Sequence, residues 1–92
     1  MIKSFRHKGL RQFFEKGVSV GINPQHVNKL RQRLAVINDA EDVGEINFPG
    51  YNLHPLTGDR KGQWAITVSG NWRITFEFID GDAYIVNYED YH

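Results

Sequence analysis

The spacing of apolar residues changes once along this chain, near Tyr51, and that change limits its fold more than any other feature. Before it, apolar side chains recur at helical spacing. Leu10, Phe13 and Phe14 do so within Lys8–Lys16, and Val27, Leu30, Leu34 and Ile37 form a second stripe. After it, the period is two. Tyr51 and Leu53 share one side of a strand, with Asn52 and His54 on the other. Trp64, Ile66 and Val68 share a face in the next strand, then Trp72, Ile74, Phe76 and Phe78, then Tyr84, Val86 and Tyr88.

Local signals mark where these segments begin and end. Residues 2–5 alternate and suit a short strand or an extended arm. Gly17 stops the first helix, because a glycine takes up the left-handed conformation of a helix C-cap without strain. Asn23-Pro24 opens the second helix: Asn caps it, and Pro occupies the first helical position, where its missing N–H costs nothing. That helix is expected to run to about Asn38. Lys29, Arg31 and Arg33 fall off its apolar stripe and are expected to face solvent or a ligand. Residues 40–46 are acidic and suit a short extra turn, and Asn47-Phe48-Pro49-Gly50 reads as a loop. The polar turn 56–62 and the hairpin turns Ser69-Gly70-Asn71 and Asp80-Gly81-Asp82 separate the strands. Helices first and hairpin-linked strands after them predict an α+β domain over residues 1–92. Its two N-terminal helices pack on one face of a four-stranded antiparallel sheet, and the other face is left for polar residues.

A domain of 92 residues buries only about two-thirds of its unfolded surface, so its core needs large side chains; six Phe, four Tyr and two Trp supply them. The absence of cysteine excludes disulfides and thiolate metal sites. No apolar run reaches the roughly 20 residues of a membrane helix, and the charged N-terminus is not a secretory signal. The expectation is a soluble, cytoplasmic protein. Net charge is zero, but it is unevenly spread. Residues 1–33 hold eight Lys and Arg against Glu15 alone; the rest holds three basic residues and ten acidic ones. Such a local excess of positive charge suits either a phosphate-facing surface or a solvated helix face.

Alternation projects Arg73 from the face opposite the core, between Trp72 and Ile74 and alongside Thr75 and Glu77. His54 lies opposite Tyr51 and Leu53, and the chain ends in Asp90-Tyr91-His92 directly after the last strand. Antiparallel pairing could gather these residues on one polar surface. Two imidazoles can serve as general acid and base near neutral pH. An arginine presents a planar fork to a phosphate. A carboxylate can orient a histidine or accept a proton, and a tyrosine can stack on a base. Together these parts suit cleavage of an RNA phosphodiester by its own 2′-OH, without a metal. His7, His26, His54 and His92 lack metal-ligand spacing. No glycine-rich phosphate cradle or nucleophile elbow is present, so no cofactor is expected. His7 and His26 read as surface histidines.

The chain resembles the HigB toxins of the RelE/ParE superfamily, which belong to type II toxin–antitoxin systems. The residues that carry the resemblance are Met1-Ile2-Lys3-Ser4-Phe5-Arg6-His7-Lys8-Gly9-Leu10, Leu53-His54-Pro55-Leu56-Thr57-Gly58-Asp59-Arg60, Asn71-Trp72-Arg73-Ile74-Thr75-Phe76 and Asn87-Tyr88-Glu89-Asp90-Tyr91-His92. The resemblance implies a ribosome-dependent endoribonuclease that cuts mRNA in the ribosomal A site and inhibits translation. It implies catalytic roles for His54, Arg73, Asp90, Tyr91 and His92. Lys3, Arg6, Lys8, Arg11, Lys29, Arg31, Arg33, Arg60 and Lys61 would grip RNA of the 70S ribosome. It also implies a helix-turn-helix antitoxin of the HigA type as partner, with operator DNA bound only through the toxin–antitoxin complex. Two rival readings are a non-enzymatic ParE-like inhibitor of DNA gyrase and an RNA-binding module without activity.

Overall fold

The first helix begins at His7, whose Nδ1 accepts the Leu10 amide at 2.9 Å and so satisfies one of the amides a helix start leaves over. This helix, α1 (Lys8–Lys16), ends at Gly17, which adopts φ 73° and returns its N–H to the Phe13 carbonyl. Asn23 caps a single 3-10 turn at Pro24–His26, which leads into α2 (Val27–Asp39). A second short turn, Val43–Ile46, follows in the acidic segment. The strands are β1 (His54–Pro55), β2 (Gln63–Ser69), β3 (Trp72–Ile79) and β4 (Asp82–Asp90). They form an antiparallel sheet in the order β1-β2-β3-β4. The computed structural model describes residues 1–91.

One face of the sheet makes the core with the helices. Ile66, Ile74 and Tyr88 are paired across β2, β3 and β4. With Val68, Phe76 and Val86 they are buried among Leu10, Phe13, Leu30, Leu34 and Ile37. Residues 1–6 run alongside β4 as an arm, with parallel bridges Ile2–Ala83 and Phe5–Val86. Its backbone bonds, such as the Lys3 amide to the Ala83 carbonyl at 2.8 Å, cover a sheet edge that would otherwise be open to pairing.

Four local expectations are corrected. The first strand starts later than the alternation from Tyr51 implies, because Asn52 takes φ 53° and interrupts the extended run. Tyr84 does not join the core face: it pairs with Glu77 on the other side, and Ala83 takes the buried place. The cause is a bulge between the Thr75 and Glu77 pairs, where Ile85 has φ 48° and shifts the alternation by one residue. His26 is not a surface histidine. It is 5% exposed and meets the Tyr88 hydroxyl at 2.6 Å. Burial holds its imidazole below the ordinary pKa, with Lys29 adding to the effect. His7 is half-buried, edge-on to Tyr88, and is also lowered by burial.

The fourth correction concerns Arg33, expected to face solvent or RNA. It is 7% exposed. Its Nε donates to the Thr67 carbonyl at 2.8 Å, and its guanidinium lies 4.2 Å from the Tyr51 ring centre. Burial lowers its pKa, and a cation–π contact with a backbone acceptor offsets the lost hydration. Arg33→Ala leaves the Thr67 carbonyl without this donor. The expected cost is about 2–4 kcal/mol in urea denaturation, with RNA affinity of the folded variant unchanged.

Candidate active site

The face of the sheet away from the helices carries the predicted polar set, and the register shows how its members are arranged. One cross-strand row runs His54, Ala65, Thr75, Asn87; the adjacent row runs Thr67, Arg73, Glu89. His54 and Arg73 therefore lie on the same face, two strands apart and one row displaced. The strand spacing puts about 10 Å between them across the sheet, a gap that a ligand could span. His54 Nδ1 lies 2.8 Å from the Asn52 carbonyl. A carbonyl only accepts, so Nδ1 carries a hydrogen and Nε2 is the ring nitrogen left to meet a ligand.

Arg73 directs Nη1 at the Gly70 carbonyl (2.7 Å) and its neighbour the Trp72 carbonyl (3.0 Å). Both acceptors are neutral, so these bonds orient the guanidinium without cancelling its charge. That is the state expected of a group that binds an anion. The Arg73 guanidinium is also 5.9 Å from the Tyr91 ring centre. The Tyr91 amide donates to the Asn71 carbonyl at 2.9 Å, tying the end of the chain to the β2–β3 hairpin turn.

The register divides the expected set at Asp90. This residue pairs with Trp72, in the helix-side rows, whereas Arg73, Glu89 and Tyr91 belong to the opposite face. Its charge helps raise the Tyr88 hydroxyl, whose main perturbation is burial. Asp90 is exposed at the strand end. His92 lies outside the described residues.

Arg60 differs from the free cation expected of a ribosome grip. Its guanidinium chelates Glu89, with Nη1 to Oε1 at 2.9 Å and Nη2 to Oε2 at 2.6 Å. Nη2 also donates to Gln63 Oε1 and Thr75 Oγ1, and Nη1 to the Tyr91 hydroxyl at 3.3 Å. The Glu89 hydrogen bond raises the Arg60 pKa. Burial pushes the Glu89 carboxyl upward, but hydrogen bonds from Arg60 and Thr75 outweigh it and hold the group below its ordinary value. Of the other proposed RNA contacts, Lys3, Arg6, Lys8, Arg11, Lys29, Arg31 and Lys61 are exposed.

The sequence reading did not single out Glu89 or Thr75. A signal for them was present: Thr75 has the same strand parity as Arg73, and in β4 Glu89 has a parity opposite to Val86 and Tyr88. Fully buried Thr75, on the face opposite the core, marks where the loop Gly58–Arg60 folds over the sheet.

A family model for the RelE-like toxin of the type II toxin–antitoxin system HigB matches residues 3–92. The chain belongs to the HigB-like toxin family. Endoribonuclease HigB of Proteus vulgaris is 61% identical over 92 residues, the full length of both chains. Toxin HigB-1 of Vibrio cholerae serotype O1 is 30% identical over 85 residues, 90% of each. Among solved structures, YafQ from E. coli strain BL21(DE3) matches with a TM-score of 0.57 over 98% of this chain and 93% of that one. At 14% identity it supports the α+β fold alone. Membership of the HigB-like family makes this chain the toxin of a type II pair, and so implies an antitoxin partner. Among the described residues, no helix is long and apolar enough to cross a membrane.

The Glu89 perturbation gives a pH test of the outer-face network. A carboxyl lowered on folding adds stability that is fully present above its unfolded pKa and is lost as pH falls through the folded value. Wild-type protein is therefore expected to lose more stability than Glu89→Gln between about pH 5 and about pH 3, measured by thermal unfolding across a pH series.

Proposed function

We propose that this HigB-family toxin is a ribosome-dependent endoribonuclease that cuts mRNA in the A site and so stops translation. The observation that carries the nuclease reading is the full-length, 61% identity to a protein named Endoribonuclease HigB. The geometry supports it. Arg73 is held by neutral acceptors beside Tyr91, and His54 offers Nε2 from the same face. A gyrase inhibitor has no evident use for the set His54, Arg73, Asp90 and His92 that the sequence carries, so the nuclease is favoured over the ParE-like alternative.

In this mechanism the RNA supplies its own nucleophile. A base takes the proton of the 2′-OH, and the 2′ oxygen bonds to the adjacent phosphorus. The bond from phosphorus to the 5′ oxygen breaks as an acid returns a proton to that oxygen. The products are a 2′,3′-cyclic phosphate and a 5′-OH. Arg73 binds the non-bridging oxygens, where charge builds in the transition state. Tyr91 stacks on or positions the nucleotide. Asp90 or His92 acts as base, and His54 or His92 assists the base or protonates the leaving oxygen. No step requires a cofactor. The exposed lysines and arginines of the first 33 residues, with Lys61, contact ribosomal RNA, which lets a formally neutral protein bind it. This reading places the toxin in the cytoplasm. Its antitoxin is of the helix-turn-helix HigA type, and operator DNA is bound only through the complex.

The direct test is in vitro translation with purified protein followed by primer extension, with and without ribosomes. New 5′ ends are expected only with ribosomes. Intact transcripts together with DNA damage in cells would favour gyrase, and blocked translation without new ends would leave only an RNA-binding module. Arg73→Ala is expected to lose about a hundredfold or more in cleavage rate with its circular dichroism unchanged, because the side chain points away from the core. Deletion of His92 is expected to abolish toxicity; a deletion variant as toxic as wild type would exclude its role in proton transfer.

A further inference from the structure

Arg60 connects more pieces of the outer face than any single strand contact does. It leaves the 3-10 turn Gly58–Arg60 and bonds Gln63 on β2, Thr75 on β3, Glu89 on β4 and Tyr91 beyond it. Each partner helps fix the guanidinium. Glu89 takes both terminal nitrogens, while fully buried Thr75 accepts from Nη2 and donates its hydroxyl to Glu89 Oε2 at 2.5 Å. A planar fork in a partly buried network of this kind has one preferred orientation.

The arginine so fixed reaches the end of the chain. Tyr91 lies one residue past β4, beyond the last pair of the strand ladder. Its ring centre is 6.0 Å from the Arg60 guanidinium carbon and 5.9 Å from that of Arg73. Arg60 also donates to its hydroxyl. One arginine has its charge answered by Glu89; the hydrogen bonds of the other, among the described residues, go to backbone carbonyls. The two cations on this aromatic ring are therefore not equivalent. For Arg60 to take up an RNA phosphate it would have to leave Glu89, stranding a half-buried carboxylate beside Thr75, which is costly.

We propose that Arg60, locked by Glu89 and Thr75, is a positioning residue that holds Tyr91 against Arg73 and so sets where Tyr91 meets the nucleotide at the scissile phosphate. The proposal rests on the nuclease reading for its consequence in catalysis, but its structural half stands independently of it. Arg60 is assigned no contact with substrate, and its effect passes through Tyr91.

Two arms test this. In the first, single-turnover cleavage of mRNA on programmed ribosomes is measured for wild type, Arg60→Met, Arg60→Lys, Tyr91→Ala and the double variant Arg60→Met/Tyr91→Ala. Arg60→Met is expected to lower the maximal rate about tenfold to hundredfold, with the half-saturating toxin concentration changed less than about twofold. In the Tyr91→Ala background the same change is expected to cost less than about twofold. Arg60→Lys keeps a cation beside Glu89 and guards against loss of the fold, yet cannot span Glu89 and Tyr91 as a fork, so it shows the same rate loss. Weaker ribosome binding at an unchanged maximal rate would make Arg60 an RNA grip and overturn the proposal. So would independent, multiplicative effects of the two substitutions, or full activity in Arg60→Lys.

The second arm needs no cleavage. Hydrogen exchange of the Tyr91 amide, which donates to Asn71, is expected to speed up about tenfold or more in Arg60→Lys. Amides in the middle of β3 should keep their protection. Unchanged exchange at Tyr91 overturns the proposal. If wild-type protein failed to cleave on ribosomes, the nuclease reading would fall, and this arm alone would decide the role of Arg60.

Discussion

Burial of one sheet face beneath α2 sets the positions of the remaining parts. Ile66, Ile74 and Tyr88 form a cross-strand row that, with Phe76, packs among Leu30, Leu34 and Ile37. Side chains alternate strictly along a strand, so a slip of one residue in β3 would put Arg73 and Thr75 into the core and Ile74 into water. The apolar face thus holds the register, and the register aligns Thr67, Arg73 and Glu89 on the face opposite. The chemistry of the outer face depends on hydrophobic burial at the inner one.

Three arginines show how position decides what a charge can do. Arg33 is enclosed by Tyr51 and the Thr67 carbonyl and serves packing. Arg60 is neutralised by Glu89 and serves geometry. Arg73 is oriented by carbonyls that leave its charge in place, which makes it the member suited to a phosphate. The same residue type does three jobs because the acceptors around it differ in charge and in access to water.

The inner face has a polar element of its own. His26, Trp72 and Tyr88 meet at the end of the sheet that carries Arg73: Trp72 stacks on Tyr88 with centroids 4.5 Å apart, and His26 lies edge-on to both. The short His26–Tyr88 contact satisfies two buried polar groups at once. Trp72 and Tyr88 are sequence neighbours of Arg73 and Glu89, so this cluster stiffens the backbone from which the outer-face residues project.

The fold class, the helix boundaries near Gly17 and Asn23, and the direction of Arg73 away from the core were legible in the amino-acid sequence. Each depends on local signals, namely apolar periodicity, a cap and a turn. The conflict over Arg33 was not legible, because a cation off the apolar stripe of a helix looks the same whether it meets water or an aromatic ring from a distant loop. The bulge at Ile85 was equally hidden, since pleat parity is read by assuming no extra residue. The family signature named His54, Arg73, Asp90, Tyr91 and His92 but could not say how they are disposed. Only the tertiary structure decided that Asp90 pairs in a helix-side row and that Arg60 is bound to Glu89 rather than open to RNA. Sequence periodicity determines which faces are buried, because burial is a local and repeated demand. It does not determine which charges meet across the sheet, because partners such as Arg60 and Glu89 stand 29 residues apart and are joined only by the register of the folded strands.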